Sequence, residues 1–118
     1  MAATIAPTTV TPTSTPTSTA YSAALSAVTN VVWNAALTKL AGGANSCYVR
    51  LEHQGPDGLP YLVDSVELTA GVDTGSRRAA LPPLLAQGSG IRFTYAINGG
   101  NGVPSSYTGT LSFRAQAQ

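Results

Sequence analysis

This 118-residue chain has little charge, few aromatic residues, one histidine and a single cysteine. One cysteine cannot form a disulfide within the chain, and it is too few for a multi-cysteine zinc site. The 6 Lys+Arg and 5 Asp+Glu give a formal net charge of +1, without the cluster of cations that nucleic-acid binding needs. No uninterrupted run of about 18 apolar residues is present, so a membrane span is not expected. The first residues also lack the basic region and apolar stretch of a secretory signal, and the length suits one compact domain.

The charges are unevenly placed, because none precedes Lys39. Residues 1–20 instead hold eight Thr, three Pro and two Ser. Proline fixes φ and removes a backbone donor, while β-branched threonine prefers extended backbone, so this segment is expected to be an extended arm. It has too little apolar surface to fold on itself, and ordering it costs about 1–2 kcal/mol per residue, which favours an arm that lies on a partner subunit. The predicted contacts with that partner are Ile5, Pro7, Val10, Pro12 and Pro16.

Residues 21–118 are predicted to form one β-sandwich domain, and residues 21–40 are its ambiguous part. Polar residues recur there every four positions, which suits a helix face, whereas nearly all odd positions are apolar, which suits a strand. The β-branched and aromatic run around Trp33 has no helix cap in front of it. Two strands broken near Thr29–Asn30 are therefore favoured.

Apolar and polar side chains alternate in the later segments, which predicts strands with one buried face. One of these strands changes its apolar phase near Asp64, as a β-bulge would cause. Short strands separated by Gly, Pro and Asn turns indicate an all-β fold, a small antiparallel β-sandwich of jelly-roll or immunoglobulin-like type. The predicted strands cover residues 47–54, 59–70, 91–98 and 107–115, with turns at 55–58, 71–76 and 98–102 and a short apolar stretch at 77–87 that Pro82-Pro83 interrupts.

Three features resemble catalytic motifs, and each has a simpler interpretation. Asp73-Thr74-Gly75 matches the signature of aspartic proteases, but only 45 residues follow Asp73 (118 minus 73), whereas that family places the loop early. His53, the only histidine, has no Gly-x-Ser-x-Gly nucleophile to activate and is interpreted as a strand-end residue. Cys47 on the inward face is interpreted as a small buried hydrophobe. The sequence therefore predicts no enzyme, and no catalytic, metal-binding or cofactor-binding residue.

Two surface features remain as candidates for binding. Arg50, Arg92 and Arg114 point outward on three predicted strands and would form a basic stripe for an acidic protein surface if those strands were neighbours. Glu52 and Glu67 offer the alternative that the arginines simply pair within the chain. Exposed aromatic residues could instead form a platform that stacks on sugars, although Tyr and Trp also fill cores and protein interfaces. The aromatic candidates are Tyr21, Trp33, Tyr48, Tyr61 and Tyr107.

A charge-free Thr/Pro arm followed by a small Gly/Ala/Thr-rich sandwich, with stretches such as residues 68–71 (LTAG) and 106–113 (SYTGTLSF), resembles the small virion proteins of tailed bacteriophages. The resemblance is to capsid decoration (cement) proteins in particular. It covers the whole chain and rests on architecture and composition, so it assigns no individual residue. It implies a non-enzymatic structural protein on the capsid exterior, made in the host cytoplasm.

The implied partners are the major capsid protein or other virion subunits, in a homo-oligomer for which a trimer is favoured. Nucleic acid and membrane are not expected as partners. The arm and the outward arginines would contact the neighbouring subunits. The alternatives are a carbohydrate-binding β-sandwich module and another self-assembling coat or tail subunit.

Overall fold

A computed structural model of the protein describes residues 4–25, 29–40, 46–68, 77–81, 90–98 and 109–118, without the side chains of residues 39, 40 and 98. All regular secondary structure in these ranges is β-strand. The strands are β1 (Thr4–Val10), β2 (Thr17–Ser18), β3 (Asn30–Leu40), β4 (Ser46–Gln54), β5 (Pro60–Leu68), β6 (Arg77–Ala80), β7 (Ile91–Asn98) and β8 (Gly109–Ala117). The described residues contain no helix of the length and apolar character that crossing a membrane requires.

The strands pair like one long hairpin folded over on itself. β1 pairs with β8, β2 with β7, β3 with β6 and β4 with β5, all antiparallel. The pairs β3–β8 and β4–β7 then complete two sheets, a first sheet of order β1-β8-β3-β6 and a second of order β2-β7-β4-β5. This eight-stranded double-sheet arrangement is a jelly roll. The predicted all-β antiparallel sandwich is confirmed, and the jelly roll is the form that it takes.

The core lies between the two sheets and is built by alternating side chains. The inward residues of the strands predicted at 47–54 and 91–98 are buried, as are Leu111, Phe113 and Ala115 of the last strand. Phe93 lies between Trp33 and Phe113, with ring centroids 5.6 and 4.4 Å away, in the tilted geometry that aromatic pairs prefer.

The hairpin between β4 and β5 also agrees with the sequence. Residues 55–58 form the turn, in which Gly58 adopts a φ of 81° that favours glycine. The pairing register slips where Leu51 faces Asp64 and Glu52 faces Leu62, so Val63 is the extra residue of a β-bulge. The bulge predicted near Asp64 is confirmed.

Residues 21–40 form one strand of the two that were predicted. The second half is β3, whereas residues 21–25 are not a strand, and residues 26–28 lie outside the described residues. The reason is that this segment runs beside β7 without the backbone pairing of a regular strand. The Ile91 amide donates to the Ser22 hydroxyl at 3.0 Å, where a regular strand would offer a backbone carbonyl. Gly90 permits this path, because a Cβ at that position would collide with the carbonyl oxygen of Ser22.

The turns predicted at 71–76 and at 99–102 fall outside the described residues, as do Pro82-Pro83 and the motif at Asp73. The predicted start of the last strand at Tyr107 falls there as well, and the described part of that strand begins at Gly109. The short apolar stretch is strand β6 over its first four residues.

The segment predicted as an arm is extended, and in this single chain it pairs with its own sandwich. β1 is an outer strand of the first sheet, and β2 is an outer strand of the second. Between them the amide of Ile97 donates to the carbonyl of Thr13 at 2.8 Å. Ile5 and Val10 pack partly against the core, and Pro12 is buried. An arm on a partner subunit, separate from a domain of residues 21–118, stays a prediction.

Hydroxyl groups of this segment complete its contact with β7. The amides of Thr19 and Ser22 donate to the carbonyls of Phe93 and Ile91 at 2.8 Å each. In return, the Thr19 hydroxyl accepts the Phe93 amide at 3.0 Å, as the Ser22 hydroxyl does for Ile91. The abundance of Thr and Ser therefore supplies acceptors where a regular strand would supply carbonyls.

The opposite side of the sandwich is closed by a carboxylate. Asp64 of β5 accepts a hydrogen bond from Trp33 Nε1 at 2.9 Å, and from Arg77 Nε at 3.1 Å and Nη2 at 3.3 Å. Trp33 and Arg77 belong to the first sheet, so these bonds join the two sheets. Burial alone raises the pKa of Asp64, but the hydrogen bonds from Arg77, Trp33 and the Ser65 amide outweigh it and hold that pKa below its usual value.

Candidate functional site

The three outward arginines do not form one basic stripe. Arg50 on β4 and Arg92 on β7 belong to the second sheet, whereas Arg114 on β8 belongs to the first. The expectation of a single stripe is wrong, because the strand that follows β7 in the chain crosses to the other sheet. Each arginine therefore has its own surroundings.

Arg92 is engaged within the chain. Its Nε donates to Glu52 Oε1 at 2.9 Å, and the Thr94 hydroxyl donates to the same oxygen. Its guanidinium also lies 4.7 Å from the centroid of the Tyr21 ring. Burial raises the pKa of Tyr21 more than the nearby Arg92 charge lowers it. The alternative that Glu52 pairs with an arginine is confirmed, and the same group of side chains ties the N-terminal segment to the second sheet through Ser18, whose hydroxyl lies 2.7 Å from that of Thr94.

Arg50 lies at a shallow depression on the outer face of the second sheet. The depression has a volume of about 390 Å³ and is lined by Tyr48, Arg50, Ser65, Val66 and Glu67. The guanidinium carbon lies 5.3 Å from the centroid of the Tyr48 ring. One aromatic ring flanked by hydrogen-bonding groups of both charges is a surface on which a polar ligand could be bound.

Arg114 lies at a groove on the outer face of the first sheet, which we call the first-sheet groove. Its volume is about 370 Å³, and its lining includes Ile5, Pro7, Val32, Asn34 and Arg114. The groove forms where β1 leaves regular pairing with β8, because the register shifts between Ile5 and Thr8 and the proline between them has no amide to donate. Arg114 itself is exposed.

Within the described ranges, the charged side chains on the outer face around this groove are arginines. Arg78 lies opposite Val32 and donates to the Gln118 side chain at 3.1 Å, and Arg114 lies opposite Asn34. Among the described residues, no strand of the first sheet contains Asp or Glu. A carboxylate on another molecule would therefore meet attraction here without a competing acidic side chain from the sheet.

Of the eight predicted partner contacts, the structure brings Ile5, Pro7 and Arg114 together in the first-sheet groove. Pro16 is exposed beyond β1, while Arg50 and Arg92 lie on the second sheet. Sequence reasoning missed Val32 and Asn34, and no local signal identifies them. They join the groove only because β3 pairs with β8 at a separation of about eighty residues along the chain.

The candidate catalytic residues that the structure describes, Cys47 and His53, are both buried. Cys47 is fully buried, and burial raises the pKa of its thiol to about 11, so the reactive thiolate is disfavoured. His53 is also fully buried in the sandwich. Within the described ranges, no group of three or more His, Cys, Asp or Glu side chains could hold a metal ion.

The sugar platform proposed from the sequence loses one of its members. Trp33 is buried and donates to Asp64, so it cannot stack on a ligand. Tyr48 and Tyr61 reach the surface, Tyr21 lies under Arg92, and Tyr107 lies outside the described residues. The aromatic residues on the described surface thus do not make one continuous platform.

No known protein family and no curated protein matches this sequence. Among solved structures, the fold is similar to that of a chain from Bacillus endospore appendages, described as disulfide-linked pili, with a TM-score of 0.51 and 12% identity over 100% of this chain and 87% of that chain. It is also similar to VP2 of the infectious bursal disease virus subviral particle, with a TM-score of 0.55 and 17% identity over 99% of this chain and 32% of that chain.

This chain therefore spans about a third of VP2. A carbohydrate-binding module from Cellvibrio mixtus lichenase 5A superposes with a TM-score of 0.41 at 12% identity, over 93% of this chain and 70% of that chain, which is too loose to support an inference. The likeness to the pilus and capsid chains shows a shared fold. A relationship to the tailed-bacteriophage family is not shown.

Proposed function

We propose that this chain is a non-enzymatic structural subunit of a viral particle, in particular a capsid decoration protein that binds its neighbours through the first-sheet groove. The observation that carries the proposal is that apolar residues of the arm and an exposed arginine meet in one groove, on a face without acidic side chains among the described residues. The jelly-roll topology supports it, because viral capsid domains commonly use this fold. The similarity to VP2 of the infectious bursal disease virus subviral particle is a similarity of this fold to a chain of a viral particle.

The mechanism is attachment without chemistry. The jelly roll acts as a rigid body, Pro7 and the exposed part of Ile5 give the groove an apolar side, and the Arg114 guanidinium can hold a carboxylate through two parallel hydrogen bonds. Each contact is weak, but repetition on a lattice gives tight attachment. The partners are the major capsid protein and further copies of this chain, on the exterior of the particle.

Charge reversal tests which face is used. Arg114→Glu should weaken self-association about tenfold at low salt and less at high salt, because exposed charges are screened over about 10 Å at 0.1 M. Arg50→Glu, on the opposite sheet, is the matched control and should leave association unchanged. Sedimentation equilibrium at about 0.05 M and about 0.5 M salt measures both.

If Arg50→Glu weakens association and Arg114→Glu does not, the interface lies on the second sheet and the proposed use of the first-sheet groove is wrong. A salt-independent effect of Arg114→Glu would contradict electrostatic docking at the groove. Equal losses for the two variants would show that neither face is specific.

The depression around Tyr48 supports carbohydrate binding as a second candidate function. Under that alternative the protein is a monomer whose Tyr48 ring stacks on a sugar, with Arg50 and Glu67 as hydrogen-bonding partners. A glycan array with the full chain tests it, and Tyr48→Ala should abolish any binding while Tyr61→Ala should not. Binding that survives Tyr48→Ala would exclude this site.

A further inference from the structure

The turn and strand start at residues 55–62, which we call the tip, place large apolar side chains in solvent. Leu59 is 59% exposed, Leu62 is 57% exposed and Tyr61 is 40% exposed. These are the exposed large hydrophobic residues of the described part of the chain. Large exposed apolar side chains grouped within four residues favour this surface as a site of contact with another molecule.

Hydrogen bonds fix the shape of the tip. The Tyr61 hydroxyl donates to Asp57 Oδ2 at 2.7 Å, and Asp57 Oδ1 accepts the Leu59 amide at 3.0 Å. The Gly55 amide donates to the Leu59 carbonyl at 2.9 Å, and a Cβ at Gly55 would collide with the Tyr61 ring. The apolar side chains are therefore presented on an ordered turn, which lowers the entropy lost when they bind.

The tip is suited to contact by side chains and poorly suited to pairing by backbone. It begins β5, which is an outer strand of the second sheet. Pro60 removes one ladder donor, the bulge at Val63 interrupts the edge, and Asp64 turns a charge inward, all of which discourage pairing with another strand.

We propose that the tip of one copy docks into the first-sheet groove of a second copy. The charges match, because Asp57 is exposed at the tip and Arg114 is exposed at the groove. The apolar parts match as well, since Leu59 and Leu62 would cover Pro7 and the part of Ile5 that the core leaves exposed. The inference rests on the proposed function and extends it by naming a second copy as the partner.

Such a contact joins two different surfaces, so it is heterologous. A heterologous contact closes into a ring when its rotation allows and otherwise continues as an open array. A ring of three would agree with the trimer that the resemblance to capsid decoration proteins implies. In a ring, the tip of each copy would bind the groove of the next copy, so that every tip and every groove is occupied.

Complementation between two defective variants tests this contact. The double variant Leu59→Ser, Leu62→Ser lacks the apolar side chains of the tip but keeps an intact groove. The variant Arg114→Glu has a defective groove but keeps an intact tip. Each variant alone should associate at least tenfold more weakly than the full wild-type chain. An equimolar mixture should form a dimer of one copy of each, which sedimentation velocity detects, because one intact tip still meets one intact groove.

The exchanged residues are exposed, so both variants should unfold at the wild-type temperature when all three proteins are measured as monomers, because association itself would raise that temperature. If either variant unfolds at a lower temperature, Leu62→Cys and Pro7→Cys replace this pair. Those two proteins, mixed under oxidising conditions, should form a disulfide-linked heterodimer, since Cys47 is buried and does not compete. Absence of the crosslink would overturn the inference.

The outcomes separate the inference from the proposed function. An oligomer that persists without the tip but dissociates with Arg114→Glu would overturn tip docking and leave the groove as an interface for a different surface of the second copy. A mixture that stays monomeric would also overturn tip docking. A wild-type chain that is monomeric at every concentration would overturn both the contact and the homo-oligomer.

Discussion

On one side of the jelly roll, the N-terminal segment follows β7 and contributes backbone and hydroxyl hydrogen bonds without any charge. On the other side, Asp64 of β5 receives hydrogen bonds from Trp33 and Arg77 of the facing sheet. The first closure is spread over many neutral bonds, whereas the second is concentrated in one carboxylate. The comparison teaches that one side of this fold is held by many neutral hydrogen bonds along a chain segment and the other by one charged group. The first side should therefore be sensitive to truncation, and the second to pH.

Truncation should have the largest effect. Removing residues 1–20 deletes β1, β2 and the partners of Phe93 and Ile97, and it removes Ile5 and Val10, which pack against the core. The bonds that Thr13, Ser18 and Thr19 make to β7 alone are worth on the order of 4 kcal/mol, at about 1 kcal/mol each, so the free energy of unfolding should fall by at least that amount. Urea unfolding measures it. Removing only residues 1–11, which keeps the bonds to β7, is the control and should cost clearly less; equal losses would show that the contact with β7 contributes little.

Asp64→Asn should have an intermediate effect on the free energy of unfolding, and the size of that effect should depend on pH. The pKa of Asp64 is lowered in the folded state, so its stabilisation is present above the unfolded value of about 3.9 and is lost as pH falls through the folded pKa. At neutral pH the variant should lose about 1–2 kcal/mol, since part of the ion pair is solvent-exposed.

Urea unfolding between neutral pH and about pH 3 measures this difference. Wild type and variant should converge as the pH falls, because protonation of Asp64 removes the same charge that the substitution removes. A gap that stays constant over this range would show that the carboxylate charge does not close this side.

Thr19→Val should have the smallest effect, and it sharpens the contrast. The substitution keeps the shape of the side chain but removes the acceptor of the Phe93 amide, which should cost about 1 kcal/mol. Because no ionisable group takes part, the loss should be the same at neutral and acidic pH. Thr9→Val, at an exposed position of β1, is the matched control; an equal loss there would mean that the Thr19 hydroxyl bond is not specific.

The strands could be predicted wherever one face is buried. Alternation of buried and outward residues identified β4 and β7, and the phase change at Asp64 identified the bulge, because a sheet with one packed face imposes a period of two. Residues 21–25 were wrongly predicted as strand, since their apolar alternation is present but Ser22 bonds to β7 through its hydroxyl. Local strand propensity does not reveal that a side-chain hydroxyl, and not a backbone carbonyl, accepts this hydrogen bond.

The candidate site was less predictable than the fold. Ile5, Pro7 and Arg114 were each identified as surface residues, but their meeting depends on the pairing of β1 with β8, which joins the two ends of the chain. The basic stripe failed for the same reason, because strand order is set by the long-range fold. The tip was predicted as a turn, yet its apolar exposure follows from the position of β5 at the sheet edge.

The solution mass of the full chain, measured by light scattering after size exclusion over a range of concentrations, tests the central claim most directly. A subunit that associates through the first-sheet groove should rise from the 12.0 kDa of one chain towards about 36 kDa, three times that mass, as concentration increases. A mass that stays at that of one chain at every concentration would contradict self-assembly and favour the carbohydrate-binding alternative.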